Sequence, residues 1–239
     1  MANQITAVTY PAASNAQWDA DYEVNLSWAW GTGYPSTGYA GLFDGYLSGQ
    51  LWAYDNYASY DNGSNLHAQF KWKMTYEDVV SYVPPIARLI NGTNAAGVHL
   101  LVDLVASTSK YRLRCCNTSS AGGGYTGYIL SLNTWYLIDL YIEVNSDAGE
   151  GKLAVLVDGT ERIRDDDLQT KVNGVINRFA VGGTWASATK EGIWLFDNVY
   201  VWDEDRYSEW PAPAGGIPLM QGANMGLGTH LCSAPYLIG

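Results

Sequence analysis

Residues 132–163 read LNTWYLIDLYIEVNSDAGEGKLAVLVDGTERI, and residues 193–203 read IWLFDNVYVWD. After Trp135, the residues Tyr136, Ile138, Leu140 and Ile142 alternate with Leu137, Asp139, Tyr141 and Glu143. A period of two is the mark of a strand with two different faces. Asn145 to Gly151 supplies turn residues, and Lys152 to Val157 reads as the partner strand. Asp158-Gly159 then predicts a tight hairpin turn, because both residues tolerate positive φ. FAVGG at 179–183 and the Ile193–Trp202 run, with Phe196-Asp197-Asn198-Val199 inside it, close the pattern.

The rest of the chain repeats the theme. Leu66, Ala68, Phe70, Trp72 and Met74 alternate with His67, Gln69, Lys71, Lys73 and Thr75, which predicts a half-buried strand with a polar outer face. Ile86–Ile90, Val98–Val105 and Lys110–Cys116 read as three further strands. Trp18–Trp30 reads as one strand, Leu42–Tyr60 as one or two short strands with an aromatic loop, and Ser119–Gly127 as a flexible loop. Arg162–Val172 is the segment that suits a helical turn. Short strands with a turn every 8–12 residues predict an all-β antiparallel sandwich. Residues 1–17 read as an N-terminal arm, 18–205 as the sandwich, and 206–239 as a Pro/Gly linker with an apolar C-terminal arm. An apolar tail frays unless it is tied down on the sandwich or on a neighbouring subunit.

The order of a strand after a Trp, a partner ending in Val-Asp-Gly and a closing Asp-Asn-Val strand resembles the concanavalin A-like (laminin-G-like) jelly rolls. The resemblance covers residues 18–203. It implies carbohydrate binding, carbohydrate cleavage or protein assembly, and it is closest to domains from phage and environmental sequences on virion-associated proteins.

Composition narrows the choice. Of 239 residues, 47% are apolar, enough for a packed core, and only 15% are charged. The net charge of −11 repels phosphate backbones and excludes a nucleic-acid partner. No run approaches the roughly 18 apolar residues of a membrane span. MANQITAVTYPAAS at the start lacks the basic and apolar regions of a secretory signal, so no standard secretory route is expected. The three cysteines, Cys115, Cys116 and Cys232, form no disulfide framework. Neighbouring strand residues point to opposite faces, so one of Cys115 and Cys116 is expected in the core and the other exposed.

Enzymatic motifs are incomplete. Retaining glucanases of this resemblance carry Glu-x-Asp-x-Glu on a central strand, with the two catalytic carboxylates about 5–5.5 Å apart. Asp19-Ala20-Asp21-Tyr22-Glu23 has Asp first and lies near the N-terminus. Lyases of this resemblance use a His and a Tyr near an Arg, marked by Gln-[Ile/Val]-His. The surroundings of His67 (NLHAQF), His99 (GVHLLV) and His230 (GTHLCS) do not match it. His67, beside Gln69, Lys71 and Lys73, is the one histidine set to line a cleft, with Arg112 and Arg114 as strand-borne partners. His99, inside an apolar strand, reads as a core histidine.

Two binding constellations remain. Asp197 occupies the Asp-[Asp/Asn]-Val position of the closing strand. In the resembling fold that strand pairs with the N-terminal one, which would bring Asp197 to Asp19 and Asp21 as Ca²⁺ ligands. Trp52, Tyr54, Tyr57 and Tyr125 lie in loop-like or edge sequence and suit stacking on sugars. The expectation is therefore a non-enzymatic structural or decoration protein of a virus particle. It would be located in the virion, assemble with itself or other virion proteins through its arms, and bind glycans through its sandwich. The alternatives are a polysaccharide-active enzyme, lyase before hydrolase, or a free carbohydrate-binding module.

Overall fold

The computed structural model describes residues 3–8, 17–24, 29–34, 39–46, 49–77, 85–90, 97–105, 110–117, 124–125, 130–171, 175–185 and 191–203. Every regular element among them is a strand: β1 (Asn3–Val8), β2 (Ala20–Val24), β3 (Ala29–Thr32), β4 (Tyr39–Tyr46), β5 (Gly49–Tyr60), β6 (Asn65–Glu77), β7 (Pro85–Ile90), β8 (Gly97–Val105), β9 (Lys110–Asn117), β10 (Gly124–Tyr125), β11 (Trp135–Glu143), β12 (Gly151–Val157), β13 (Thr160–Leu168), β14 (Ile176–Trp185) and β15 (Glu191–Asp203). They form two antiparallel sheets. The first runs β13-β12-β11-β6-β15-β4-β3, with β1 also on β15; the second runs β10-β9-β8-β7-β14-β5-β2.

Alternation places the core between the sheets. Leu66, Ala68, Phe70, Trp72 and Met74 of β6 are all at 1% exposure or less. They join Ile138, Leu140 and Ile142 of β11 against Leu89, Val98, Leu100, Leu113, Phe179 and Val181 of the second sheet. The Phe70 ring lies 6.3 Å from Phe179 across the sandwich and 5.8 Å from Phe196 on its own sheet.

The hairpin turn forms as its sequence demands: Asp158 has φ 50° and Gly159 φ 72°. The Asp158 carboxylate also accepts the Leu137 N–H at 2.9 Å, tying the turn to β11. In β15 the Asp197-Asn198-Val199 run is a bulge. Lys71 pairs with Asp197 and Gln69 with Tyr200, so β15 carries one extra residue there. Asn198 takes the left-handed conformation, φ 50°, which Asn tolerates better than most residues. The extra residue re-phases the strand: Trp194 and Phe196 face the core before it, Val199 and Val201 after it.

Several segments differ from the sequence reading. Trp18–Trp30 is not one strand, because β2 lies in the second sheet and β3 in the first. The aromatic run at 49–60 is a single long strand, and the described residues of Arg162–Val172 hold no helical turn, since Thr160–Leu168 is edge strand β13. Residues 3–8 of the expected arm pair with β15 of the same chain. Cys115 and Cys116 are both buried, Cys115 in the core cluster and Cys116 outside it. The C-terminal arm, residues 206–239, lies outside the described residues, as do Cys232 and His230.

Candidate glycan-binding face

His99 does not point into the core. Val98, Leu100 and Val102 take the core positions of β8, so alternation turns His99 to the opposite face of the second sheet. It pairs with Arg88 of β7 on one side and Cys116 of β9 on the other. Arg88 in turn pairs with Ala180 of β14, and Ala180 with Tyr54 of β5. One cross-strand row thus holds Tyr54, Ala180, Arg88, His99 and Cys116.

The same face carries more arginines. Leu113 and Cys115 are in the core, so Arg112 and Arg114 alternate outward on β9, both half-exposed. Arg178, also half-exposed, alternates with core Phe179, and its Nε donates to Asn56 Oδ1 at 3.0 Å. Asp103 is the acidic position in this register, opposite Arg112. His99 is the floor of the set: it is 7% exposed, and its Nε2 is buried without a hydrogen-bond partner. Burial, and then the Arg88 charge, lower its pKa to about 3, so the ring is neutral at physiological pH.

Gly97-Val98-His99 shares Val-His with the lyase mark, but Gly stands where the mark has Gln. The backbone explains why no side chain is present. Gly97 has φ +135°, and a Cβ there would collide with the Leu89 carbonyl oxygen. The amide that accompanies the lyase histidine therefore has no place in this strand.

His67 belongs to the other sheet. Its Nε2 lies 2.9 Å from Asp139 Oδ1, which also accepts Gln69 Nε2 at 2.7 Å. The ring stacks on Tyr141 at 3.9 Å and on Trp202 at 4.8 Å. With 2% exposure it is a packed element of the first sheet, and Arg112 and Arg114 are on the second. The expected grouping of His67 with these arginines does not occur.

The expected calcium residues are also separated by the topology. β15 pairs with β1 at its N-terminal neighbour, not with β2, which lies against β5. Asp197 accepts the Tyr34 N–H on Oδ2 at 2.8 Å and the Asn198 N–H on Oδ1 at 2.7 Å. Burial holds its carboxyl above the usual range, opposed by these two N–H groups. Asp19 Oδ2 accepts the Asn56 N–H at 2.7 Å, while the Asp19 N–H donates to Asp55 Oδ1 at 2.9 Å. Both carboxylates cap backbone. Among the described residues no three His, Cys, Asp or Glu side chains gather in a metal-binding group. The Asp21 side chain lies outside the described part.

Of the expected sugar-stacking aromatics, Tyr57 packs against the core and edge-on to Tyr60. Trp52, Tyr54 and Tyr125 all fall on strands of the second sheet. Trp52 pairs with Gly182, and Tyr125 with Arg114. Their side chains lie outside the described part. His99 and Arg88 were hidden from sequence reasoning by their apolar neighbours; the signal available was the Val-His dipeptide followed by a strand with two alternating arginines.

No protein-family model matches the chain, and no curated protein sequence matches it. Solved structures do. The chain is similar to an endo-β-1,4-glucuronan lyase from the fungus Trichoderma reesei, with TM-score 0.61, 12% identity, and 83% of this chain and 95% of that chain covered. It is similar to a variant of alginate lyase Aly36B in complex with alginate trisaccharide, with TM-score 0.54, 12% identity, and 84% and 98% covered. It is also similar to a botulinum neurotoxin type C structure whose cell entry depends on two ganglioside molecules, with TM-score 0.54, 11% identity and 84% of this chain covered, though it spans only 48% of that chain. The fold is a jelly-roll β-sandwich. At these identities the likeness fixes the fold and leaves the activity to the residues.

Proposed function

We propose that this chain binds acidic polysaccharides through the outer face of its second sheet without cleaving them. The observation that carries the reading is charge placement. In a chain of net charge −11, the half-exposed Arg112, Arg114 and Arg178 share one sheet face, with Arg88 buried in the same face. Guanidinium groups bind carboxylates in paired hydrogen bonds, and a β-sheet spaces them along an extended polymer. The similar structures include proteins that act on glucuronan and alginate and one that engages gangliosides, which supports a glycan as the partner. Gly97 in place of the motif Gln, and a histidine at the buried floor, support binding over turnover.

β-Elimination is the second reading, favoured by one observation: the unpartnered Nε2 of His99 stands opposite the Arg88 guanidinium, the pair of groups that proton removal beside a carboxylate asks for, although a pKa of about 3 leaves the ring a weak base. One experiment separates the two. The chain is run through gels containing polygalacturonate, alginate or a neutral β-glucan, and the same polymers are assayed for the ultraviolet absorbance of a new C=C bond. Retardation by the acidic polymers alone, weakened in Arg112→Gln/Arg114→Gln and without new absorbance, fits binding. New absorbance that His99→Gln abolishes identifies a lyase. Equal retardation by the neutral polymer sinks both.

Service in a virus particle, with 206–239 as an assembly arm, is a further part of the proposal. It rests on the apolar, Gly-rich composition of that segment. Light scattering of the full chain and of a version ending at Ala214 tests it. An oligomer that becomes a monomer supports an arm; two monomers remove its basis.

A further inference from the structure

A second charged constellation lies on the opposite side of the sandwich. Lys71 and Lys73 alternate outward on β6, and residues two apart on a strand sit about 6.5–7 Å apart. Lys71 Nζ lies over the Tyr34 ring at 4.2 Å, and Lys73 Nζ over the Trp135 ring at 4.9 Å. The two rings meet edge to face at 6.0 Å. Tyr34 is itself fixed, because its N–H is held by Asp197. Among the described residues, neither ammonium makes an ion pair or a hydrogen bond. A ring face holds an ammonium in position but does not cancel its charge. Lys71 pairs in register with Asp197, yet both oxygens of that carboxyl are turned to backbone N–H groups.

Exposure marks the same place. Among the described residues the two exposed large hydrophobic side chains are Tyr34, at 38%, and Leu132, at 41%, in the turn that leads into Trp135. A flat ring beside two positioned cations matches a pyranose that carries a carboxylate. The apolar face of the sugar lies on Tyr34 and its anion meets the two ammonium groups.

We infer that Tyr34, Trp135, Lys71 and Lys73 form a second binding platform, for an acidic saccharide, on the outer face of the first sheet. It is separate from the arginine face and does not rest on it. The test uses the full chain carrying Arg112→Gln/Arg114→Gln, so that the second sheet does not mask the result. Calorimetry measures an oligogalacturonate hexamer and its carboxyl-reduced, neutral counterpart. The expected result is binding of the acidic hexamer that weakens more than about tenfold on adding Lys71→Gln/Lys73→Gln, since hydrogen bonds to charged groups are lost. Tyr34→Ala weakens it as well, and the melting temperature reports that the fold is kept. Unchanged affinity in the lysine variant overturns the inference, as does equal affinity for the neutral hexamer. A dimer that Tyr34→Ala converts to monomer in light scattering also overturns it, because the face is then a contact between copies.

Discussion

Arg88 and His99 stand directly opposite each other on β7 and β8, with Cys116 directly beyond His99 on β9. Burial makes imidazolium costly, the guanidinium beside it adds to that cost, and the His99 pKa falls from 6.5 to about 3. In the unfolded chain the ring binds a proton below about pH 6.5; in the folded chain it does not until about pH 3. The unfolded state therefore binds more protons in that window, and stability falls as pH falls through it. The slope from this one group is at most about 1.4 kcal/mol per pH unit. Urea unfolding between pH 7 and pH 4 should show that His99→Gln loses less stability on acidification than the parent chain. Parallel curves would mean that the ring is solvated.

Gly97 and Gly63 separate two costs of adding a methyl group. Gly63 has φ +83° with nothing near a Cβ, so Gly63→Ala meets backbone strain alone, about 1 kcal/mol. Gly97 adds collision with the Leu89 backbone, and Gly97→Ala should cost about 3 kcal/mol or more. Denaturant midpoints of the two variants give the comparison; equal losses would contradict the close approach of β7 and β8 at that point.

Asp139 Oδ1 serves both His67 and Gln69. Asp139→Ala strips two donors of their acceptor inside the aromatic stack and should destabilise by about 2–4 kcal/mol. The near-ultraviolet circular dichroism of Tyr141 and Trp202 should change with it. Asp139→Asn keeps an acceptor oxygen and should cost clearly less. A harmless Asp139→Ala would show that water reaches the pair.

Phe70 is fully buried and touches ring neighbours on both sheets. Phe70→Ala should cost about 3–5 kcal/mol, through lost burial and the cavity left between the layers. Thermal or urea unfolding measures it, and a loss below about 1 kcal/mol would argue that the two sheets do not share one core.

Alternation made β6, β11 and β12 readable, because each has one face in the core and one outside. Asp158-Gly159 was readable because its turn depends on two residues alone. β13 was not: Asp165-Asp166-Asp167 disfavours a strand locally, and pairing with β12 overrides that preference. Trp18–Trp30 gave no sign that the chain changes sheets within it, since both sheets ask for the same pattern. The site was missed for a related reason. His99 and Cys116 are buried on the face away from the core, and no residue pattern tells burial there from burial between the sheets. The acidic positions were legible as functional candidates by type, but capping and metal binding ask for the same carboxylates, and only the partners of Asp19 and Asp197 distinguish them.

β15 pairs with β1, β4 and β6, and β14 pairs with β5 and β7. Both late strands therefore sit between partners that are made much earlier. During synthesis neither sheet can close until residues 176–203 have left the ribosome. Until then β4 and β6 wait with open edges, as do β5 and β7. Long-range pairing of this kind slows folding and leaves strand edges able to pair with other chains. Yield in a cell should thus depend on what shields the nascent chain in that interval as much as on the stability of the finished sandwich.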